Sequence, residues 1–355
     1  MTASSIITGK AAAVDVVAGY SVVLHYGDVA AEYAALRSRA MLVDHSARGR
    51  LVVNGPRAAE LIGGLVTNDV QALTPGHGQY AAALTPKGKI VADVRIFARD
   101  GSLLIDVPPR AREGWQTTIK KYINPRLAPY QDVSATLRQM GVYGIASRSV
   151  VAKALGVAPD VLAMLSMYSH TQTSGDASIV IARVPDLALE GYELFVPAEA
   201  YDSVWQRLMR SGATPAGLAA WEIARIEAGR PEWGIDMDAT TIPQEANFDE
   251  LGAISYTKGC YVGQEVVARV HFRGHVNKHL RGLLCGETEP PPTGATLLND
   301  AGKPVGDVRS TAISPRLGAI ALAIVRREVE SGATLAVHWE GGEAQADVSA
   351  LPFPL

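Results

Sequence analysis

Cysteine is scarce in this chain: Cys260 and Cys285 are the only two among 355 residues. Two thiols give neither a disulfide framework nor a zinc-ligand spacing, so a reducing compartment, the cytoplasm, is expected. No apolar run reaches membrane-spanning length. No basic start precedes a long apolar stretch, and Asp15 interrupts the best candidate, so no secretory leader is expected. Charge of either sign is not in excess. The 33 Lys and Arg against 36 Asp and Glu leave a formal −3, which argues against nucleic acid as the main partner. No G-x-G-x-x-G follows a strand, which speaks against a dinucleotide site. No repeat or low-complexity tract is present. A monomeric protein of two or three domains fits this length.

What is there reads as α+β. Helices are expected over 29–41, 56–65, 111–123, 149–155, 198–210 and 218–228, from apolar residues recurring every three or four positions. Strands are expected over 50–53, 79–84, 89–97, 103–107, 142–146, 179–184 and 190–196. In the strand after Pro86-Lys87-Gly88, Asp93 either faces water beside Arg95 or lines a ligand site. Residues 229–250 form a long acidic loop, functional or disordered by its length. From Leu280 short strands alternate with turn clusters, the pattern of a small antiparallel barrel.

The stretch Lys258 to Arg273, KGCYVGQEVVARVHFR, fits none of these patterns until its helical end. Cys260 sits between a lysine-glycine pair and a Tyr-Val-Gly turn, poor core sequence that suggests an accessible thiol on a loop. A thiol is a nucleophile only as thiolate, and Lys258 with a helix starting at Gly263 would favour that form. Gln264 and Glu265 fall in the first turn of that helix.

KGCYVGQE resembles the K-G-C-[FY]-x-G-Q-E signature of the YgfZ family, folate-binding proteins that support iron–sulfur enzymes. HYG at 25–27, Asp44-x-Ser46, Thr67-Asn68-Asp69, Gln79-Tyr80, GYE at 191–193, R-x-E-x-G at 225–229 and S-P-x-L-G at 314–318 resemble the wider glycine cleavage T-protein (aminomethyltransferase) superfamily. The resemblance implies three domains around a central folate channel. These are 1–47 with 139–245, then 48–138, a cysteine-motif connector 246–279, and a β-barrel 280–355. It implies tetrahydrofolate or another reduced folate as cofactor. Glu193 would hold the pterin edge, with Arg225 beside it to keep the carboxylate ionised. Tyr80, Asp106 and Gln264 are further candidate binding residues, and Tyr80 packs either on the ring or in a core. Cys260, Lys258 and Asp93 are candidate catalytic groups. The implied function is iron–sulfur cluster assembly or repair through Cys260, with iron–sulfur carrier or client proteins as partners. The alternatives are aminomethyl transfer or folate-dependent demethylation; any catalysis would be folate-dependent one-carbon or aminomethyl transfer. Three positions depart from the T-protein pattern: Ala92 replaces an acid, Asp106 an asparagine, and Asp186-Leu187-Ala188 a tyrosine-containing turn.

Overall fold

The computed structural model describes residues 11–174, 178–286 and 289–354. They form two compact units. One gathers Met1–Ala83, Val91–Trp221 and Ala253–Val262; the other gathers Leu84–Ile90, Glu222–Gly252 and Gly263–Leu355.

Besides the two-stranded hairpin Ala13–Val17 with Tyr20–His25, the first unit is built on two larger sheets. Six strands run in the order His170–Gln172, Val180–Arg183, Gly191–Pro197, Leu137–Tyr143, Ala40–Asp44 and Ala213–Ala216. Side chains alternate across a strand, and here the alternation separates two chemistries. Leu42, Met140, Val142, Tyr192, Leu194 and Val196 point to one face and join an apolar core. The helix Tyr201–Arg210 caps that face through Tyr201, Val204, Trp205 and Leu208, one stripe at helical spacing. Full burial of each such side chain contributes roughly 1.5–3 kcal/mol. The intervening positions Gln139, Gly141, Tyr143, Gly191 and Glu193 take the other face. The second sheet runs Gly78–Leu84, Ile90–Arg99, Ser102–Val107, Gly49–Asn54 and Tyr130–Asp132.

The expected helix over 29–41 stops at Ser38, and Ala40–Asp44 is a strand. Met41, Leu42 and Val43 are all buried, and that burial in mid-sheet outweighs the helical spacing of the residues before them. The strand expected over 142–146 lies earlier, at Leu137–Tyr143, and pairs antiparallel with Gly191–Pro197.

In the second unit six strands close an antiparallel barrel: Lys278–Leu284, Gly318–Arg326, Pro304–Ser314, Thr296–Leu298, Thr334–Trp339 and Gly342–Ser349. Leu283, Leu297, Val308, Ala321, Ala323, Val337 and Val348 fill it. The segment 229–250, expected to be functional or disordered, is packed: Asp236, Met237, Ala246 and Phe248 are fully buried, and Pro243–Ala246 makes a 3-10 turn. No helix among the described residues is long and apolar enough to cross a membrane.

Candidate functional site

Glu193 is fully buried on the polar face of the six-stranded sheet, and both carboxylate oxygens are occupied. Oε1 accepts from His45 Nδ1 at 2.8 Å, from the Tyr143 hydroxyl, and from Arg95 Nη1 at 3.5 Å. Oε2 accepts from Gln139 Nε2 at 2.8 Å. Burial pushes this carboxyl up, but His45, Arg95 and the hydrogen bonds from His45 and Tyr143 outweigh it and hold it well below the usual carboxylate range.

Tyr143 reaches Glu193 because glycines lie under its ring. A Cβ at Gly191 would sit 2.2 Å from the ring and one at Gly141 2.3 Å from it. Gly191 pairs with Tyr143 in register, and Gly141 with Glu193. The glycine of the GYE segment is thus a platform for an aromatic on the next strand.

Arg95 ties this group to the second sheet. It is 2% exposed and pairs with Asp106 (Nε to Oδ2, 2.6 Å) and with Asp186. Arg48 donates to the other Asp106 oxygen at 2.8 Å. Burial raises the Asp106 carboxyl, but Arg48 and Arg95 overcome it and hold it low. Two of the three departures from the T-protein pattern, Asp106 and Asp186, therefore converge on one buried arginine. The group sets two guanidiniums, Arg48 and Arg95, against three carboxylates, Asp106, Asp186 and Glu193.

Asp93 does not face water. It is 5% exposed, accepts from the Tyr80 hydroxyl at 3.0 Å through Oδ2, and leaves Oδ1 without a partner among the described residues. Burial raises its carboxyl above the ordinary value. The strand is covered on both faces, which excludes the solvated alternative. Tyr80 is buried too, its ring near-parallel to Tyr168 at 6.4 Å.

Arg225 is not the cation on Glu193. Its guanidinium bonds Glu222 at 2.6 Å, Asp236 at 2.7 Å, the Ser310 hydroxyl at 2.7 Å and the Arg230 carbonyl at 2.7 Å. Asp236 also accepts from the backbone of Glu232 and Ser310. Ser310 is available because the pairing of Pro304–Ser314 with Gly318–Arg326 is irregular between Val308 and Thr311. Arg225 thus fastens the acidic segment to the barrel. The two motifs on either side meet as well, with Ser314 donating to Glu227.

Cys260 is exposed and Cys285 buried. Lys258, two residues before Cys260, donates to the carbonyls of Gly63, Val66 and Asn68 at 2.5, 2.7 and 2.8 Å. Burial draws its amine down to about 8. Only an ammonium can serve three acceptors at once, so its ammonium ties the loop to residues 63–68. Gln264 heads the helix Gln264–Arg273, half-buried, behind a left-handed Gly263.

His45, Arg95, Gln139, Tyr143 and Arg48 were not singled out from the sequence. His45 is the middle residue of the Asp44-x-Ser46 segment and Tyr143 lies two residues after Gly141, but their convergence depends on strand pairings that span the chain.

Residues 4–254 match the family described as the GCVT N-terminal domain, and residues 278–354 the glycine cleavage T-protein C-terminal barrel domain. An aminomethyltransferase from Rubrobacter xylanophilus is 31% identical over 324 residues, covering 89% of this chain and 84% of that protein. One from Synechococcus sp. (strain RCC307) is 30% identical over 343 residues, covering 95% and 93%. The fold is similar to that of the glycine cleavage system aminomethyltransferase T from Bartonella henselae, with a TM-score of 0.90, 21% identity, and 100% of this chain and 98% of that one covered. On these matches, spanning both units, the chain belongs to the glycine cleavage T-protein family.

Proposed function

We propose that this chain binds a reduced folate and presents Cys260 for assembly or repair of iron–sulfur clusters, as the YgfZ proteins it resembles do. The observation that carries the reading is the loop around Cys260. Lys258 pins its start with three hydrogen bonds, and the thiol two residues on is left exposed. Such a loop holds a thiol out to solvent at a defined place. The buried group around Glu193 supports the folate part. Its carboxylates outnumber its guanidiniums, so the potential around it favours a ligand that brings N–H donors, as a reduced pterin edge does. Residues 1–47 with 139–245 supply Glu193, Gln139, Tyr143 and His45, and residues 48–138 supply Arg95 and Asp106. Iron–sulfur carriers or client proteins are the partners this reading requires.

Aminomethyl transfer is the second reading, favoured by near full-length similarity to relatives named aminomethyltransferase. Against it stands Ala92, fully buried where the T-protein pattern has an acid. Asp106 and Asp186, the other departures, are engaged by Arg95. One pair of assays separates the readings. Cys260→Ser is expected to keep tetrahydrofolate binding and to lose support of iron–sulfur enzymes in cells lacking their own such protein. Full complementation by the serine variant would remove Cys260 from the function. Methylene-tetrahydrofolate production from a loaded lipoyl carrier, at rates like those of a T-protein, would establish the second reading.

A further inference from the structure

We propose that the group a ligand meets is His45, and that Glu193 acts through it as a positioning residue. This rests on the reading that the chain binds a reduced folate. Glu193 has no exposed surface, and each of its oxygens already accepts a hydrogen bond. A ligand touching it would have to displace His45, Tyr143 or Gln139.

His45 is placed differently. Its side chain is 10% exposed. Nδ1 is bonded to Glu193, while Nε2 has no partner among the described residues and is not closed off from solvent. The ring is held in plane by neighbours: Trp221 packs edge-on at 4.6 Å and Tyr143 is tilted at 6.2 Å. The backbone N–H of His45 donates to the Gln139 carbonyl at 3.0 Å.

The tautomer follows from the partner. An ionised carboxylate only accepts, so Nδ1 carries a proton, and whenever the ring is neutral Nε2 is an acceptor. A ligand N–H donor, such as a reduced pterin carries, is what that nitrogen recognises. The charged and titratable groups around the Glu193 end of the dyad are Arg95, Tyr143, Asp186, Asp106 and Arg48. They fix Glu193 in its ionised form and thereby the direction of the His45 hydrogen bond.

Two variants and one spectrum test this. In His45→Asn the amide nitrogen takes the place of Nδ1, keeps the bond to Glu193 and deletes Nε2. Tetrahydrofolate affinity by calorimetry is expected to fall by about tenfold or more, or roughly 1.4 kcal/mol. Glu193→Gln offers an amide donor to Nδ1 and drives the ring proton to Nε2, turning the acceptor into a donor, and a comparable loss is expected. In wild-type protein labelled with 15N-histidine, the proton of the neutral ring is expected on Nδ1, with the Nε2 resonance moving on addition of tetrahydrofolate. A folded His45→Asn protein that binds within about twofold of wild type, or an Nε2 resonance unmoved by bound ligand, overturns the assignment. Should the variant not fold, the wild-type spectrum decides alone. A wild-type protein that binds no tetrahydrofolate overturns the functional reading, and with it the ligand assigned to His45. Binding without a role for His45 overturns only the assignment.

Discussion

Asp93 is held between the fully buried Ala92 and Val94, and one of its oxygens has no partner among the described residues. Burial raises its carboxyl, so the ionised form costs more in the folded protein than in the unfolded chain. Asp93→Asn is therefore expected to stabilise the protein by about 1 kcal/mol at pH 7, read as a higher urea midpoint. A lower midpoint would mean that the charge has a compensating partner. The two thiols differ in the same physical way. Burial pushes Cys285 up to about 11, so its alkylation should stay slow at neutral pH and accelerate only as pH approaches that value. Cys260, exposed, should alkylate first, and mass spectrometry of partially modified protein reads the order directly. At this scale the sequence was only partly legible. Glu193 stood out in its GYE segment, but its partners come from positions 45, 95, 139 and 143, which no local pattern joins. Arg225 and Glu193 both sit in family-like motifs, which alone suggests that they pair. The acids nearer to Arg225, Glu222 and Asp236, claim it instead.

The segment 229–250 shows how a loop becomes part of a core. Asp236 accepts from Arg225, Glu232 and Ser310 where the barrel pairing is irregular. Asp236→Ala would leave Arg225 buried with a lost partner and is expected to cost about 3–5 kcal/mol, seen as a fall in thermal midpoint. A midpoint within a degree or so of wild type would show that Glu222 alone suffices for Arg225. Length and acidity mark this segment as functional or disordered; the buried partners that order it lie on the helix Leu218–Glu227 and the barrel. Strands were legible where apolar residues alternate or cluster before a turn, as along the barrel. Short ones such as Tyr130–Asp132 and Ala213–Ala216 were not, because pairing rather than composition makes them strands. The helix after Asp28 was legible at its start, where the aspartate caps two backbone N–H groups. Its end was not, since burial of Met41 to Val43 decides it.

For the whole protein, acid should act in two opposed stages. Asp93 has a raised carboxyl, so its destabilising charge disappears as pH falls through that raised value. Glu193 and Asp106 have depressed carboxyls, so the stability they contribute is complete above roughly pH 4 and is lost as pH falls through their lower folded values. Thermal midpoint against pH is expected to change little from neutral into mild acid, where relief of Asp93 is offset by the lowered His170 and His279, and then to fall steeply below about pH 4. Glu193→Gln should flatten the steep limb. An unchanged limb would place the acid sensitivity elsewhere. The broad architecture, α+β with a terminal barrel, was legible because it depends on patterning summed over many residues, whereas the site depends on a few long-range meetings. One of those meetings also constrains how the sequence can drift. Tyr143 lies across Gly141 and Gly191 with no room for a methyl group at either. A side chain can be gained at either position only after the tyrosine has become smaller, and a tyrosine can be regained only after both glycines return. The three sites form a ratchet with an obligatory order of steps, so a family alignment should show them changing together, with an intermediate that keeps both glycines after the aromatic is gone.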